Sequence, residues 1–272
     1  MSAHIQYERH EGGIAQVTLV APARMNAMSR QMWRELAQVF ERIQADLSVR
    51  CVVIQGQGDH FCAGGDISEY ASFRFQEASL RAFHEEDVWG GLQAMLNCDV
   101  PIVAQIAGNC MGAGVEIACS CDLRIAASDS RFGAPIARLG FPMAPREAAL
   151  VLREAGAFTA RQFLLDAAIL DAPTMAQRGF LHDVVAPADL QSRVQAMVAR
   201  VLCLAPAAAR LNKQTLRALH PIIFDLDSAK ASRAALADLQ AQAYAYAPHA
   251  EHREGVQAFL DKRKPIFKAN SH

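Results

Sequence analysis

The sequence predicts an α/β protein with a strand-and-helix core and a helical C-terminal region. Short apolar runs typical of strands alternate with helical stretches across residues 1–190. Beyond Asp189 the composition shifts to Ala, Leu, Gln and charged residues without strand signals. A chain of 272 residues can bury a large core. We therefore expect a core over residues 1–190 and a helical region over residues 191–272 that packs on another subunit.

The first elements follow from hydrophobic periodicity. Residues 5–9 and 14–20 are β-rich runs that flank a turn signal at Glu11-Gly12-Gly13. A helix is predicted after Ser29, a residue type favoured at the N-cap. One apolar stripe on this helix is formed by Met32, Leu36, Val39, Phe40, Ile43 and Leu47.

The same order of strand, small-residue or polar loop and helix then recurs. Strands are predicted at residues 51–55, 102–106 and 123–127. Helical stretches are predicted from Ile67 onward and at residues 77–97 and 115–121, with a small-residue loop at 108–114. The C-terminal helices are predicted at residues 189–203, 205–219, 227–246 and 251–263.

Composition excludes several classes of partner. The 27 Lys and Arg residues nearly balance the 28 Asp and Glu residues, so no net field attracts nucleic acid or an anionic membrane. The chain has no signal-peptide pattern and no apolar run of membrane-spanning length. The seven cysteines form no CxxC pair, which favours a reducing, cytoplasmic compartment. We expect Cys119 and Cys121 to be buried rather than to bind metal.

Two loops rich in small residues each lead from a predicted strand into a helical stretch, at residues 58–67 and 108–116. Small residues allow the backbone to approach a ligand closely and leave N–H groups free to point at it. The helix that follows adds a partial positive charge. Each loop can therefore bind an oxyanion, and the alternative is a tight turn with no ligand.

Other catalytic classes lack necessary residues. The glycines from Gly108 onward resemble the cofactor loop of short-chain NAD(P) dehydrogenases, but they lie far from the first strand, and no tyrosine is followed four residues later by lysine. The chain has no G-x-S-x-G motif of serine hydrolases and no Walker lysine after either glycine loop. The stretch from His84 begins like a zincin motif but lacks its second histidine.

Four segments, in order and at similar spacing, resemble the enoyl-CoA hydratase/isomerase (crotonase) superfamily over nearly the whole chain. They are residues 24–28 (RMNAM), 61–67 (FCAGGDI), 102–123 and 252–267. The resemblance implies a crotonase-like spiral of ββα units, with a C-terminal helical trimerisation region and a homotrimer or homohexamer. It also implies an acyl-CoA thioester as substrate. No metal or other cofactor is implied, since coenzyme A is part of the substrate.

The resemblance assigns the catalytic groups residue by residue. The backbone N–H groups of Gly65 and Ala113 would hold the thioester oxygen as an enolate forms, and Ala113 keeps the N–H although the family usually has glycine there. Glu116 matches the first catalytic glutamate of hydratases, and its apolar neighbours should raise its pKa. Contacts with the substrate and CoA are implied for Arg24, Met25, Ala27, Ala63, Gly64, Asp66, Ile67, Gly112, Pro135 and Ile136.

One position departs from the hydratase pattern. Ile136 stands where the second glutamate is usual, and Glu147 or Arg146 could supply that function or could simply begin a helix. Three hypotheses follow: a lyase that adds or removes water with Glu116, another crotonase reaction (isomerisation, decarboxylation or thioester hydrolysis), or a non-catalytic acyl-CoA binder. The shape of the acyl chain is not predicted, because residues 70–97 match the family least.

Overall fold

Two sheets organise the protein, whose computed structural model describes residues 3–222, 226–242, 245 and 249–267. The strands are β1 (His4–His10), β2 (Ile14–Val20), β3 (Cys51–Gly56), β4 (Ile102–Ile106), β5 (Asn109–Met111), β6 (Leu123–Ala127), β7 (Arg131–Gly133), β8 (Ile169–Asp171) and β9 (Asp183–Val185). The larger sheet has the order β1-β2-β3-β4-β6-β9 and is parallel except for the β1–β2 pair. The smaller sheet has the order β5-β7-β8.

Helices connect the strands and form the C-terminal region. They are α1 (Arg30–Ala45), α2 (Glu77–Ala82), α3 (Trp89–Asn97), α4 (Ala113–Cys119), α5 (Pro145–Leu165), α6 (Ala172–Gln177), α7 (Leu190–Leu202), α8 (Pro206–Leu219), α9 (Leu226–Ala241) and α10 (Ala250–Leu260). A π-helical segment, Phe83–Val88, joins α2 to α3, and a 3-10 helix spans Ile67–Ser72. The predicted helix at residues 77–97 is therefore three helical segments in succession.

Helix α1 begins and ends where local side-chain hydrogen bonds dictate. The Met32 N–H donates to the Ser29 hydroxyl at 3.2 Å, as an N-cap requires. The helix buries Met32, Trp33, Leu36, Val39, Phe40 and Ile43. It ends before Asp46, whose carboxylate accepts the Ser48 N–H at 2.9 Å. Leu47 consequently lies beyond the helix and is 47% exposed, so the prediction that it continues the apolar stripe was wrong.

The hydrophobic core covers both faces of the larger sheet. On one face the strands pack against buried residues of α1, α3, α4 and α5. On the other face α7 presents Leu190, Val194, Met197, Val198 and Val201. Helix α7, which begins at the predicted domain boundary, thus packs on strands of the N-terminal core. The division into two domains at residue 190 stays a prediction. Among the described residues, no single helix is long and apolar enough to cross a membrane. Two consecutive helical segments, Pro187–Leu202 and Pro206–Leu219, reach the required length and apolar composition only when taken together, and they are bent by 103° relative to each other.

The longer strands were predicted and the shortest elements were missed. The five strands predicted up to residue 127 are present as β1, β2, β3, β4 and β6. The predicted loop at residues 108–114 contains β5, and α4 begins two residues earlier than predicted. Strands β7, β8 and β9 and helices α5 and α6 had no prediction. The predicted helices of the C-terminal region are present, although residues 243, 244 and 246 lie outside the described part.

Candidate active site

The two small-residue loops lie side by side at the carboxyl ends of two central strands of the larger sheet. They follow β3 and β4, which are parallel neighbours, so both loops leave the sheet at the same end. The Cys62 N–H donates to the Asn109 carbonyl at 2.9 Å, and the Met111 N–H donates to the Cys62 carbonyl at 2.8 Å. A third bond runs from the Phe61 N–H to the Ala107 carbonyl at 2.8 Å. These bonds hold the two loops in a fixed relation.

The first loop leaves the Gly65 N–H unpaired. The Met28 N–H donates to the Gly64 carbonyl and the Asp66 N–H donates to the Met28 carbonyl, both at 2.8 Å. Gly65 lies between these bonds, so its own N–H points away from Met28, as alternation along an extended chain requires. No acceptor for this N–H exists among the residues that the structure describes.

The second loop exposes the Ala113 N–H in a similar way. Gly112 has φ 48° and ψ −110°, a conformation that side chains rarely permit. A Cβ built on Gly112 would lie 3.6 Å from the Gly64 Cα, which shows how closely the loops approach. The Gly112 N–H donates to the Gly133 carbonyl at 2.8 Å, whereas Ala113, the first residue of α4, donates to no described group.

Both loops border a cavity of about 540 Å³. Ten of the sequence-predicted residues line it: Met25, Ala63, Gly64, Gly65, Ile67, Gly112, Ala113, Glu116, Pro135 and Ile136. The structure adds others, among them Tyr70, Arg74, His84, Phe141 and Glu147. A larger cavity, about 1230 Å³, lies among α3, α8, α9 and α10 and contains none of the predicted site residues. The smaller cavity is therefore the candidate active site.

Glu116 is a buried carboxylate in this cavity. It projects from α4, is 8% exposed, and its carboxylate accepts no hydrogen bond from the residues described. Burial raises the pKa of Glu116 well above its usual range, and the neighbouring charge of Glu147 raises it further. The pKa change expected from the apolar sequence around Glu116 is thus confirmed in direction, and Glu147 is a second cause that the sequence did not predict.

Glu147 brings a second carboxylate into the cavity from a different element. It lies in the first turn of α5 and is 2% exposed. Its Oε1 is 3.1 Å from the Nδ1 of His84, and its Oε2 accepts the Ala144 N–H at 3.2 Å. The guanidinium of Arg146, the other candidate for the missing carboxylate's function, lies 5.9 Å from the Trp89 ring and does not border the cavity.

Three predicted contact residues do not line the cavity. Arg24 forms an ion pair with Asp66 and donates to the Ser68 hydroxyl at 2.6 Å. Asp66 also accepts the Ser68 N–H at 3.1 Å and so caps the 3-10 helix that follows. Ala27 is buried beneath the loop. The ion pair ties the segment before α1 to the first loop, and a contact of these residues with CoA stays a prediction.

An aromatic cluster that no sequence pattern predicted contributes Tyr70, Phe83 and Phe141 to the cavity wall. A further ring, Phe73, packs against Tyr70 and Phe83. This aromatic cluster consists of Tyr70, Phe73, Phe83 and Phe141, with ring centroids 4.6–6.4 Å apart in the closest pairs. A Cβ added to Gly65 would clash with the Tyr70 hydroxyl, so the cluster reaches the first loop. In the sequence, Arg74 follows Tyr70 by four residues. Their spacing of four residues was the available signal that they share a face.

The cysteines play no evident part in the cavity. Cys119 and Cys121 are buried at the end of α4, as predicted, and the Cys121 thiol donates to the Ile117 carbonyl at 3.2 Å. Burial raises the pKa of Cys121 to about 12. The described thiols near this helix are therefore neutral at physiological pH.

Comparison with known proteins identifies the family of the chain. The sequence model of the enoyl-CoA hydratase/isomerase family matches residues 9–270. The chain belongs to the enoyl-CoA hydratase/isomerase family. A probable enoyl-CoA hydratase of Rhodobacter capsulatus is 32% identical over 269 residues, which are 98% of this chain and 99% of that one. A crotonyl-CoA hydratase of Syntrophomonas wolfei is 30% identical over 258 residues, which are 94% of this chain and 95% of the relative.

Solved structures confirm the crotonase fold of this family member. An enoyl-CoA hydratase/carnithine racemase from Magnetospirillum magneticum superposes with a TM-score of 0.88 at 34% identity, covering 99% of this chain and 97% of that one. The predicted α/β class and the resemblance to crotonases are therefore confirmed. The protein is an enzyme of the enoyl-CoA hydratase/isomerase family.

Proposed function

We propose that this enzyme adds water to, or removes it from, the 2,3 bond of an enoyl-CoA thioester. The observation that carries the proposal is the pair of buried carboxylates, Glu116 and Glu147, in one cavity with two unpaired backbone N–H groups. The alternatives left by the sequence need one base or none. A second buried carboxylate beside Glu116 therefore favours water chemistry over isomerisation, decarboxylation or simple binding.

The unpaired N–H groups of Gly65 and Ala113 would bind the thioester oxygen. Chemistry at the 2,3 bond passes through an enolate, whose negative charge collects on that oxygen. Two donors fixed in place before the reaction stabilise the enolate more than they stabilise the uncharged carbonyl, and this difference lowers the barrier. Such chemistry requires no metal and no redox cofactor.

The two carboxylates would move the protons. Hydration removes one proton from water, as its oxygen bonds to Cβ, and delivers one proton to Cα. The pair can do both when one member is protonated and the other is ionised. Two close carboxylates favour this singly protonated state because their like charges repel, and burial of Glu116 adds to that preference. Dehydration reverses the two transfers.

Ile136 would then form the apolar wall of the site rather than a catalytic position. It lines the same cavity as Glu116 and Glu147. The carboxylate that hydratases usually carry there would be supplied by Glu147 at the start of α5, where His84 and the Ala144 N–H hold the side chain in place. Relatives named as enoyl-CoA and crotonyl-CoA hydratases are consistent with this reaction.

We also propose that the enzyme is a homotrimer or a hexamer of two trimers. Helices α8 and α10 leave large apolar side chains exposed: Leu211, Leu216, Leu219, Val256 and Leu260. Exposed apolar groups concentrated in one region of a monomer favour association.

Incubation with a panel of enoyl-CoA esters would test the proposed reaction. Mass analysis should detect a product heavier than its substrate by one water, and the 3-hydroxyacyl-CoA should return the enoyl-CoA. Glu116→Gln should lower turnover by about 100-fold or more, the usual scale for a general acid–base group. Glu41→Gln, an exposed position on α1, is the matched control. A product of unchanged mass with a moved double bond would instead identify an isomerase.

A further inference from the structure

The cavity wall contains an arginine, Arg74, that forms no ion pair with the described residues, although the charge of Glu147 acts on it from a distance. The guanidinium carbon of Arg74 lies 3.5 Å from the ring centroid of Phe141 and 4.5 Å from that of Tyr70. Its Nη1 is shielded from solvent and has no hydrogen-bond partner among the described residues, and no described carboxylate is within salt-bridge distance of it. The aromatic contacts use the face of the guanidinium and leave its N–H edge unused.

A neighbouring arginine shows how such a group is normally satisfied. Arg30 packs on the same aromatic cluster, 5.0 Å from the Phe73 ring centroid, and its guanidinium is 2.7 Å from the carboxylate of Asp87. Arg74 has the aromatic contacts but not the carboxylate. Burial lowers the pKa of Arg74, although an arginine remains charged at physiological pH. Arg74 is partly buried, and leaving its shielded Nη1 without a hydrogen-bond acceptor is costly, so its place in the cavity wall points to an anionic ligand.

We propose that Arg74 binds a carboxylate at the far end of the acyl group, so that the preferred substrates are enoyl-CoA esters of dicarboxylic acids. Tyr70 spans the distance between the thioester end and the carboxylate end of such a substrate, because its hydroxyl lies against Gly65 and its ring contacts Arg74. An acyl chain with its thioester at the Gly65 N–H therefore has Arg74 about one aromatic ring away. The inference rests on the proposed function, since it places the thioester at Gly65.

The charges that line the cavity bear on how a ligand carboxylate would bind. Glu116 and Glu147 both line it and would repel an acyl group that carries a negative charge. Arg74 is the cation that would offset this repulsion where the ligand carboxylate binds, and a second arginine of the cavity lining, Arg138, is exposed. Arginine also matches a carboxylate with two parallel N–H donors, a geometry that lysine does not offer.

The test compares binding of adipyl-CoA and hexanoyl-CoA, two saturated esters of equal chain length that differ by the terminal carboxylate. Calorimetry on the wild type should show tighter binding of adipyl-CoA by about 10- to 100-fold, the range for hydrogen bonds to a charged group. Arg74→Met should abolish this preference. Arg81→Met should keep it, because Arg81 is an exposed residue that pairs with Glu77 and Glu85. Equal binding by the wild type, or equal weakening of both esters in Arg74→Met, would overturn the inference.

Two further measurements distinguish a misfolded variant from a wrong inference, and a wrong inference from a wrong proposed function. If Arg74→Met binds neither ester, Arg74→Lys keeps the charge without the planar fork, and its preference should fall below that of the wild type. An unchanged preference in Arg74→Lys would then overturn the inference. Because the esters are saturated, binding is independent of turnover. A preference for adipyl-CoA together with no hydration of any enoyl-CoA would contradict only the proposed function.

Discussion

The buried charge of Glu116 should make the protein less stable than its amide variant, and increasingly so as the pH rises. Glu116→Gln keeps the side-chain shape and removes the ionisable group. Near the usual carboxyl pKa of 4.5, the folded protein holds the Glu116 proton because burial raises its pKa, whereas the unfolded chain begins to lose it. The wild type therefore loses unfolding free energy from about that pH upward until Glu116 ionises in the folded state.

The magnitude follows from the surroundings of the carboxylate. Glu116 is 8% exposed and accepts no hydrogen bond from the described residues. A buried polar group without partners typically costs about 1–3 kcal/mol, and a charged one costs more. We expect the unfolding free energy of Glu116→Gln to exceed that of the wild type by less than about 1 kcal/mol at pH 5, because this pH lies only slightly above the usual carboxyl pKa and ionisation of the unfolded chain gains little there. At pH 8 the advantage should reach about 1–3 kcal/mol.

Urea unfolding followed by circular dichroism measures both values. Protein concentrations must be equal, since association shifts apparent stability. Glu41→Gln, an exposed position on α1, should show no such change with pH. An advantage of Glu116→Gln that is equal at the two pH values, or a loss of stability at pH 8, would refute the reasoning. The charge of Glu116 would then be compensated in the folded protein.

Three other outcomes are expected. Ala113→Pro should keep the fold, because proline is tolerated at the first position of a helix and the N–H that it removes has no described partner. The variant should nevertheless lower kcat by about 100-fold or more. Unaltered kinetics would show that this N–H does not bind the thioester oxygen. Gly56→Ala should lower the unfolding free energy measured by urea titration by about 1–3 kcal/mol, because the added Cβ would clash with the carbonyl oxygens of His60 and Phe61. Wild-type stability of this variant would contradict the prediction. Light scattering should give the mass of a trimer or hexamer, and a monomer of 29.6 kDa at all concentrations would disprove the proposed assembly.

The sequence predicted those parts of the fold whose signals are local. The strands that became β2, β3 and β4 are mostly apolar segments of five or more residues, and α1 has both a capping serine and an apolar stripe. Strands β5, β7, β8 and β9 have three residues each, which is too short for a detectable hydrophobic period. Their strand conformation comes from pairing with distant segments, which no local pattern records.

The candidate site divides in the same way. The glycines of the two loops, and Glu116 directly after the second, are visible as motifs, and the structure brings them to one cavity. Glu147 could not be distinguished from an ordinary acidic residue in the first turn of a helix, and indeed it also accepts the Ala144 N–H. His84 approaches it from 63 residues earlier in the chain. Only the fold shows that these two residues meet beside Glu116.

The measurement that tests the central claim most directly is the turnover of Glu147→Gln, and of the double variant with Glu116→Gln, on the best enoyl-CoA substrate. If the two carboxylates share one proton and act as a unit, each single variant should lose about 100-fold or more in kcat, and the double variant should be little worse than either. Binding of a saturated CoA ester should persist in all three. Full turnover by Glu147→Gln would contradict the account, because the enzyme would then act with Glu116 alone.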